Sequence, residues 1–197
     1  RVKCAILGAR GLVAQRLLQR LVNHHWFTPA IVIGSPESEG MRISELPWSF
    51  DGPRPSLPDL YVKGVGEEGD LAKRLVSEGV RIVFSALPDS PASIIEKDLA
   101  MAGLVVISHS TIHRHSETVP LVVPEVNNDH LKVIDLQIEY AGGMIVSCSN
   151  CMVVPLAISL APMVRELPVE RVSISTEQSL SGGGRMTLEN SRKGDFP

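Results

Sequence analysis

The chain has 197 residues, 44% of them hydrophobic and 21% charged, with a net charge of −3 and a pI near 6.1. That balance supports a sizeable core and excludes a disordered chain, and the absence of a basic footprint removes nucleic acid from the expected partners. No apolar run is long enough to span a membrane, and the three cysteines, Cys4, Cys148 and Cys151, are too few and too odd for a secreted disulfide framework, so no membrane contact and a cytoplasmic setting are expected.

In chain order, the opening RVKCAILGARG enters a strand pattern at once over residues 2–7, with no leader pattern before it. Ala14, Leu17, Leu18 and Leu21 then recur on one helical face. AIVIG (30–34) reads as a second buried strand, and the Pro-, Ser-, Gly- and Glu-rich stretch 35–58 as loop. LYVKGV (60–65) reads as a strand and DLAKRLVSEG (70–79) as a helix with Asp70 near its N-cap and Gly79 past its end. RIVFSALP (81–88), SPASIIEKDLAMAG (90–103) and LVVIS (104–108) continue as strand, helix and strand. Apolar strands alternating with helices at short spacing predict an α/β fold with a Rossmann-like, doubly wound parallel sheet. VPLVVPEVN (119–127) is apolar but interrupted by Pro120 and Pro124, DHLKVIDLQIEYAGG (129–143) predicts a helix, and a helix and the strand RVSISTEQSL (171–180) are expected after Cys151. This reading divides the chain into a dinucleotide-binding domain over 1–149 and the beginning of an α+β catalytic and dimerisation domain over 150–197.

ILGARGLVAQRL sets Gly8 at a strand end, Gly11 at a helix start and Ala14 one turn in, a G-x-x-G-x-x-A spacing. Backbone N–H groups approach a phosphate only where no side chain intervenes, so strand, glycines and helix in this order point to a dinucleotide; the plainer alternative is a tight turn that binds nothing.

Cys148 and Cys151 form C-x-x-C, open to four readings: metal clip, redox pair, buried core cysteines, or one nucleophile with a bystander. A zinc site needs three or four ligands and no second matching pair exists, so no metal is expected. Cys4, in mid-strand, reads as buried and inert, a reading that is open to Cys148 as well. Cys151 follows Asn150, a good N-cap, and precedes an apolar helix, where free N–H groups and the helix dipole favour a thiolate.

LGARGLVAQRLLQRLVNHHWF, FSALP, HRHSETVPLVVPEVN, SNCMVVPLAISLAPM and QSLSGGG occur in that order along nearly the whole chain. Together they resemble the aspartate-semialdehyde dehydrogenase family, most of all its archaeal and fungal branch. The resemblance implies an oxidoreductase that interconverts aspartate semialdehyde and aspartyl phosphate through a cysteine thioester, with a nicotinamide cofactor, phosphate as co-substrate and a homo-oligomer, dimer or tetramer. It makes Cys151 the nucleophile, Gln178 a substrate-orienting residue, Asn150 a support for both the nucleophile and the acyl oxygen, and Arg114 the guanidinium that grips substrate or phosphate. It directs Gly8, Arg10, Gly11, Leu12, Val13, Ser35, Glu37, Ser38, Ser85, Ala86, Leu87, Pro88, Ser181 and Gly182 toward the cofactor, expected to be NADP.

Against the family's usual pattern, Arg10 stands for threonine, Ala14 for glycine, His109 for asparagine and Met152 for a hydroxyl residue. Glu37 replaces an arginine that meets the 2′-phosphate of NADP; a carboxylate there suits a ribose hydroxyl and so favours NAD. Pro155 falls at the fifth position of a helix begun at Cys151, where it has no N–H to close the first turn, so either that bond is missing or the helix starts nearer Pro155. All six histidines precede Cys151, so none matches the family's acid/base histidine, and His113 is expected in a surface loop. The alternative to an enzyme is a truncated, non-catalytic nucleotide-binding relative that acts through a partner chain.

Overall fold

Apolar runs with no polar face can be buried only when both sides of their sheet are covered, and that requirement sets the centre of the molecule. The computed structural model describes residues 1–51, 53–67 and 69–194. β1 (Val2–Leu7) lies between β2 (Phe27–Ile33) and β4 (Ile82–Ser85); β3 (Val62–Lys63) flanks β2, and β5 (Val105–Ser108), β7 (Met144–Cys148) and β6 (Leu121–Val122) continue beyond β4. All six strand pairings are parallel, in the order β3-β2-β1-β4-β5-β7-β6. The expected Rossmann-like sheet is therefore present.

α1 (Leu12–Leu21) covers one face, packing Ala14, Leu18 and Leu21 against Cys4, Ile6 and Val32. α2 (Asp70–Ser77) and α3 (Asp89–Met101) cover the other, with Leu71, Leu75 and Leu99 against Leu7, Val83, Val106 and Ile145.

Three expectations change. β2 starts at Phe27 because the sheet absorbs Pro29: Cys4 pairs with Pro29 but Ala5 with Ile31, a bulge that tolerates the missing N–H. The strand expected over 60–65 shrinks to Val62–Lys63, while Tyr61 makes an antiparallel bridge to Arg42. The helix expected over 129–143 does not form. α4 (Pro124–Asn127) gives way to 3₁₀ turns at Asn128–Leu136 and Ile138–Tyr140, separated by Gln137. The buried Gln137 amide donates to Thr118 O (2.9 Å) and Ile145 O (2.8 Å) and accepts from Ile145 N (2.7 Å). That anchor to β7 fixes a backbone geometry (φ −89°, ψ 51°) that no α-helix accommodates.

After Ser147 no described residue is buried. α5 (Val153–Glu166) is followed by irregular chain, a 3₁₀ turn at Leu180–Gly183 and α6 (Arg185–Arg192). The strand expected over 171–180 is absent: Val172 and Ile174 stay 45% and 53% exposed, with no neighbouring strand among the described residues to receive their backbone groups. α6 returns to the N-terminal half, where Arg192 Nη2 donates to Ser49 O (3.3 Å) and meets Asp51 Oδ1 (3.4 Å).

Replacing Gln137 by Ala strands the Ile145 N–H and two carbonyls in the interior. The expected loss is about 2–3 kcal/mol, at the upper end of the cost of leaving buried polar groups unpaired, read as a lower urea midpoint.

Candidate cofactor cleft and cysteine turn

β1 and β4 are neighbours at the point where strand order reverses, and ligands of open α/β sheets bind beyond strand ends at such a point. Gly8 ends β1 with φ +92°, and a Cβ there would stand 2.6 Å from Ala86 O. Its N–H and that of Ala9 both bond Ile33 O, while Gly11 N bonds Gly8 O at 2.8 Å, so the loop turns sharply into α1. Above it opens a cleft of ≈ 780 Å³. Gly8, Arg10, Gly11, Ser35, Ala86, Leu87 and Pro88 line it, as the sequence suggests.

Other expected cofactor residues stand back from the cleft wall. Leu12 and Val13 open α1, and Ser38 is buried with its hydroxyl donating to Ser35 O at 2.9 Å. Ser85 is buried on the strand itself, its hydroxyl without a protein partner among the described residues. Ser181 lies in the 3₁₀ turn with its hydroxyl 2.6 Å from Ser179 Oγ, and Gly182 packs against the Gln178 side chain. Glu37 is exposed in a 3₁₀ turn; the Ser35 hydroxyl, its own backbone N–H and the Arg10 guanidinium lower its pKa, so it stays ionised. Glu39, Gly64, Val65 and Gly66 line the cleft without having been anticipated, as do Gly183, Gly184, Arg185 and Met186. The triple glycine 182–184 carried a signal for the last group; the loop after β3 carried none.

Parallel strands place the end of β7 on the same sheet edge. There Asn150 O accepts from both Val153 N and Val154 N (3.0 Å each), and Asn150 Oδ1 accepts from Met152 N (2.9 Å). Asn150 therefore caps the turn ahead of the helix rather than the helix itself, whose N-cap position is Met152 with no side-chain cap bond, so Cys151 stands before the helix and not at its first position. The helix proper begins at Val153, which puts Pro155 in its first turn, where no N–H is required. Cys151 is exposed in that turn, and Gln178 Nε2 stands 3.7 Å from its Sγ. Burial pushes the Cys148 thiol up, only partly offset by Arg114, and drives Cys4 up to about 11. All three cysteines are free, and among the described residues no group of three or more His, Cys, Asp and Glu is placed to hold a metal.

Arg114 Nε donates to Cys148 O (3.2 Å) and Nη2 to His109 O (3.2 Å), so the guanidinium braces the ends of β5 and β7 and, among the described residues, keeps three of its five N–H donors free of protein partners. Burial lowers the pKa of His109, whose Nδ1 lies 3.1 Å from Ser85 O. His113 is not at the surface: it is 5% exposed, with Nε2 2.8 Å from Oε2 of the wholly buried Glu96. Asp89 Oδ1 accepts from Ser110 Oγ (2.6 Å) and Thr111 N (2.8 Å), and Oδ2 from Thr111 Oγ1. These donors hold its carboxyl down at about 2.

A family model described as "Semialdehyde dehydrogenase, NAD binding domain" matches residues 3–134, the span that builds most of this cleft. The chain belongs to the semialdehyde dehydrogenase family. It is 35% identical over 187 residues to the aspartate-semialdehyde dehydrogenase of Archaeoglobus fulgidus, covering 93% of this chain and 52% of that one. It is 33% identical over 190 residues to the malonyl CoA reductase (NADP) of Metallosphaera sedula, covering 93% and 50%. The crystal structure of the Candida albicans aspartate-semialdehyde dehydrogenase with NADP superposes with a TM-score of 0.71 at 31% identity, covering 84% and 48%. The chain thus spans about half the length of the curated relatives it matches. The family match contains the glycine loop and Arg114 and stops before Cys151 and Gln178.

Asp89 titrates near 2 in the folded chain against an ordinary 3.8, so its contribution to stability is complete above about pH 4 and is lost as pH falls toward 2. Urea midpoints of the protein and of Asp89→Asn are expected to differ most at pH 5–7 and to converge as the pH falls below about 4.

Proposed function

We propose that this semialdehyde dehydrogenase relative acts on aspartate semialdehyde, with Cys151 as nucleophile. The Sγ adds to the aldehyde carbon, with Gln178 Nε2 at 3.7 Å orienting the substrate beside it. A nicotinamide dinucleotide held in the cleft would supply the hydride acceptor; with the adduct's hydroxyl proton passing to solvent, Cys151 then carries the acyl group as a thioester. Phosphate then displaces the thiolate and leaves with the acyl group as aspartyl phosphate; biosynthesis runs these steps in reverse. The open donors of Arg114 suit a carboxylate or phosphate. One observation carries the reading: an exposed, Asn-capped cysteine with an amide at its sulfur lies on the same sheet edge as a glycine-lined cleft.

The cleft fits a dinucleotide because Gly8 and Gly11 leave the backbone bare where α1 begins. NADP is the proposed cofactor, with Arg10 in the cleft wall as the group for its 2′-phosphate; Glu37 is the feature that favours NAD. The division at 149/150 into nucleotide-binding and catalytic portions, a cytoplasmic setting and a homo-oligomer complete the proposal. Support for the last comes from α5, which buries none of its side chains and exposes Val153, Ile158, Met163 and Val164. The malonyl CoA reductase relative favours a second reading, in which the thioester is exchanged with coenzyme A instead of phosphate.

The test is nicotinamide reduction by the purified chain with aspartate semialdehyde, in parallel with phosphate or coenzyme A and with NADP or NAD. Turnover with phosphate is expected, reduced about 10⁴-fold or more in Cys151→Ala, with the circular dichroism of the variant unchanged. Turnover with coenzyme A alone selects the second reading, and equal turnover in Cys151→Ala overturns both. Glu37→Arg is expected to raise the ratio of NADP to NAD affinity about tenfold by replacing a repulsion with an attraction at the ribose; an unchanged ratio in a fluorescence titration removes Glu37 from the cofactor site.

A further inference from the structure

Glu96 is the one charged residue among those that α3 buries; its companions are Ala92, Leu99 and Ala100. A wholly buried carboxylate is costly, and apolar residues of similar volume generally stabilise such a position as well or better than an ion pair. The compensation here is incomplete. Glu96 Oε2 meets His113 Nε2 at 2.8 Å, but among the described residues Oε1 has no protein partner, and neither do the buried hydroxyls of Ser85 and Ser147 at the ends of β4 and β7. Local rules broken without compensation concentrate at functional sites.

The pair has a counterpart on the same helix. Asp89 and Glu96 stand seven positions apart, two turns of α3, and so share a face. Asp89 holds Ser110 and Thr111; Glu96 holds His113. The backbone between them is a tight turn, with Arg114 N bonded to Thr111 O (3.1 Å) and Ser116 N to His113 O (3.1 Å). Two carboxylates on one rigid helix thus clamp a short loop at two points, and Arg114 follows directly after the second. From there it reaches Cys148 O, three residues before Cys151.

We propose that Glu96 and His113 are positioning residues: their buried pair sets the loop that aims Arg114 at the anion-binding side of the Cys151 turn. This rests on the reading of Cys151 and Arg114 given above. Glu96 and His113 touch no reacting atom; they act through the guanidinium.

The test uses the full chain and two probes of similar size, iodoacetate and iodoacetamide, with alkylation of Cys151 read by peptide mass spectrometry. The ratio of the two rates reports a cation near the sulfur and normalises for any change in thiol reactivity. The wild type is expected to favour iodoacetate relative to Arg114→Ala. The apolar double variant Glu96→Leu with His113→Leu is expected to fold and to lose most of that preference, about tenfold for a cation displaced beside a reacting thiol. Glu96→Gln, which keeps an oxygen for His113, is expected to retain it. His113→Asn, too short to reach Glu96, serves if the double variant does not fold, with the loss expected of that variant. Preference lost in Arg114→Ala but intact in the double variant and in His113→Asn overturns the proposal and leaves the reading of Arg114 standing. No preference in the wild type overturns both.

Discussion

The space that a side chain on Gly8 would need is taken by the carbonyl of Ala86, 2.6 Å from where its Cβ would stand. β1 and β4 can meet closely at their C-terminal ends only because that position is bare. The positive φ at Gly8 then turns the chain back over the sheet, and the short bond from Gly11 N to Gly8 O starts α1 at once. The cleft is a consequence of this contact: its floor is the glycine loop on one side and Ala86 to Pro88 on the other. A larger residue at Gly8 would separate the two strands on which both halves of the sheet are built.

Several of these features were legible in the sequence and several were not, for different reasons. The buried strands announce themselves because a covered sheet leaves no polar face, and the glycine loop because its conformation admits few other residues. Asn150 was legible as a cap because the requirement is local: one side-chain oxygen, one nearby N–H. Gln137 was not. Its effect on 129–143 comes from partners eight residues ahead in β7 and nineteen behind at Thr118, and a helical hydrophobic pattern contains no trace of them. The burial of His113 is hidden from the sequence for the same reason: HRH reads as a polar loop until α3 supplies Glu96.

Positions 171–180 show the converse error. The residues have strand propensity, yet a strand is completed by a neighbour's hydrogen bonds, and among the described residues none stands alongside. The same segment reaches the proposed site without regular structure. Gln178 reaches Cys151, and five residues later Gly183 enters the cleft wall, so one short stretch joins the thiol to the cleft.

The sheet itself changes character where the chemistry is proposed. β4, β5 and β7 are apolar until Ser85, Ser108 and Ser147, which lie in register with one another and are all wholly buried. They share the face of Val83, Val106 and Ile145, the face that α3 covers and into which it brings Glu96. A core built for stability alone would continue with valine or isoleucine at these sites, since every unpaired hydroxyl there costs free energy. The row of serines instead forms a polar seam beneath the strand ends. Above it lie His109 and Arg114, each hydrogen-bonded to a backbone carbonyl at a strand end, and the turn that carries Cys151, closed by its own bond from Met152 N to Asn150 Oδ1. Stability in the lower sheet and polarity at its upper edge are thus separated by a single residue along each strand, which is how one continuous fold accommodates both.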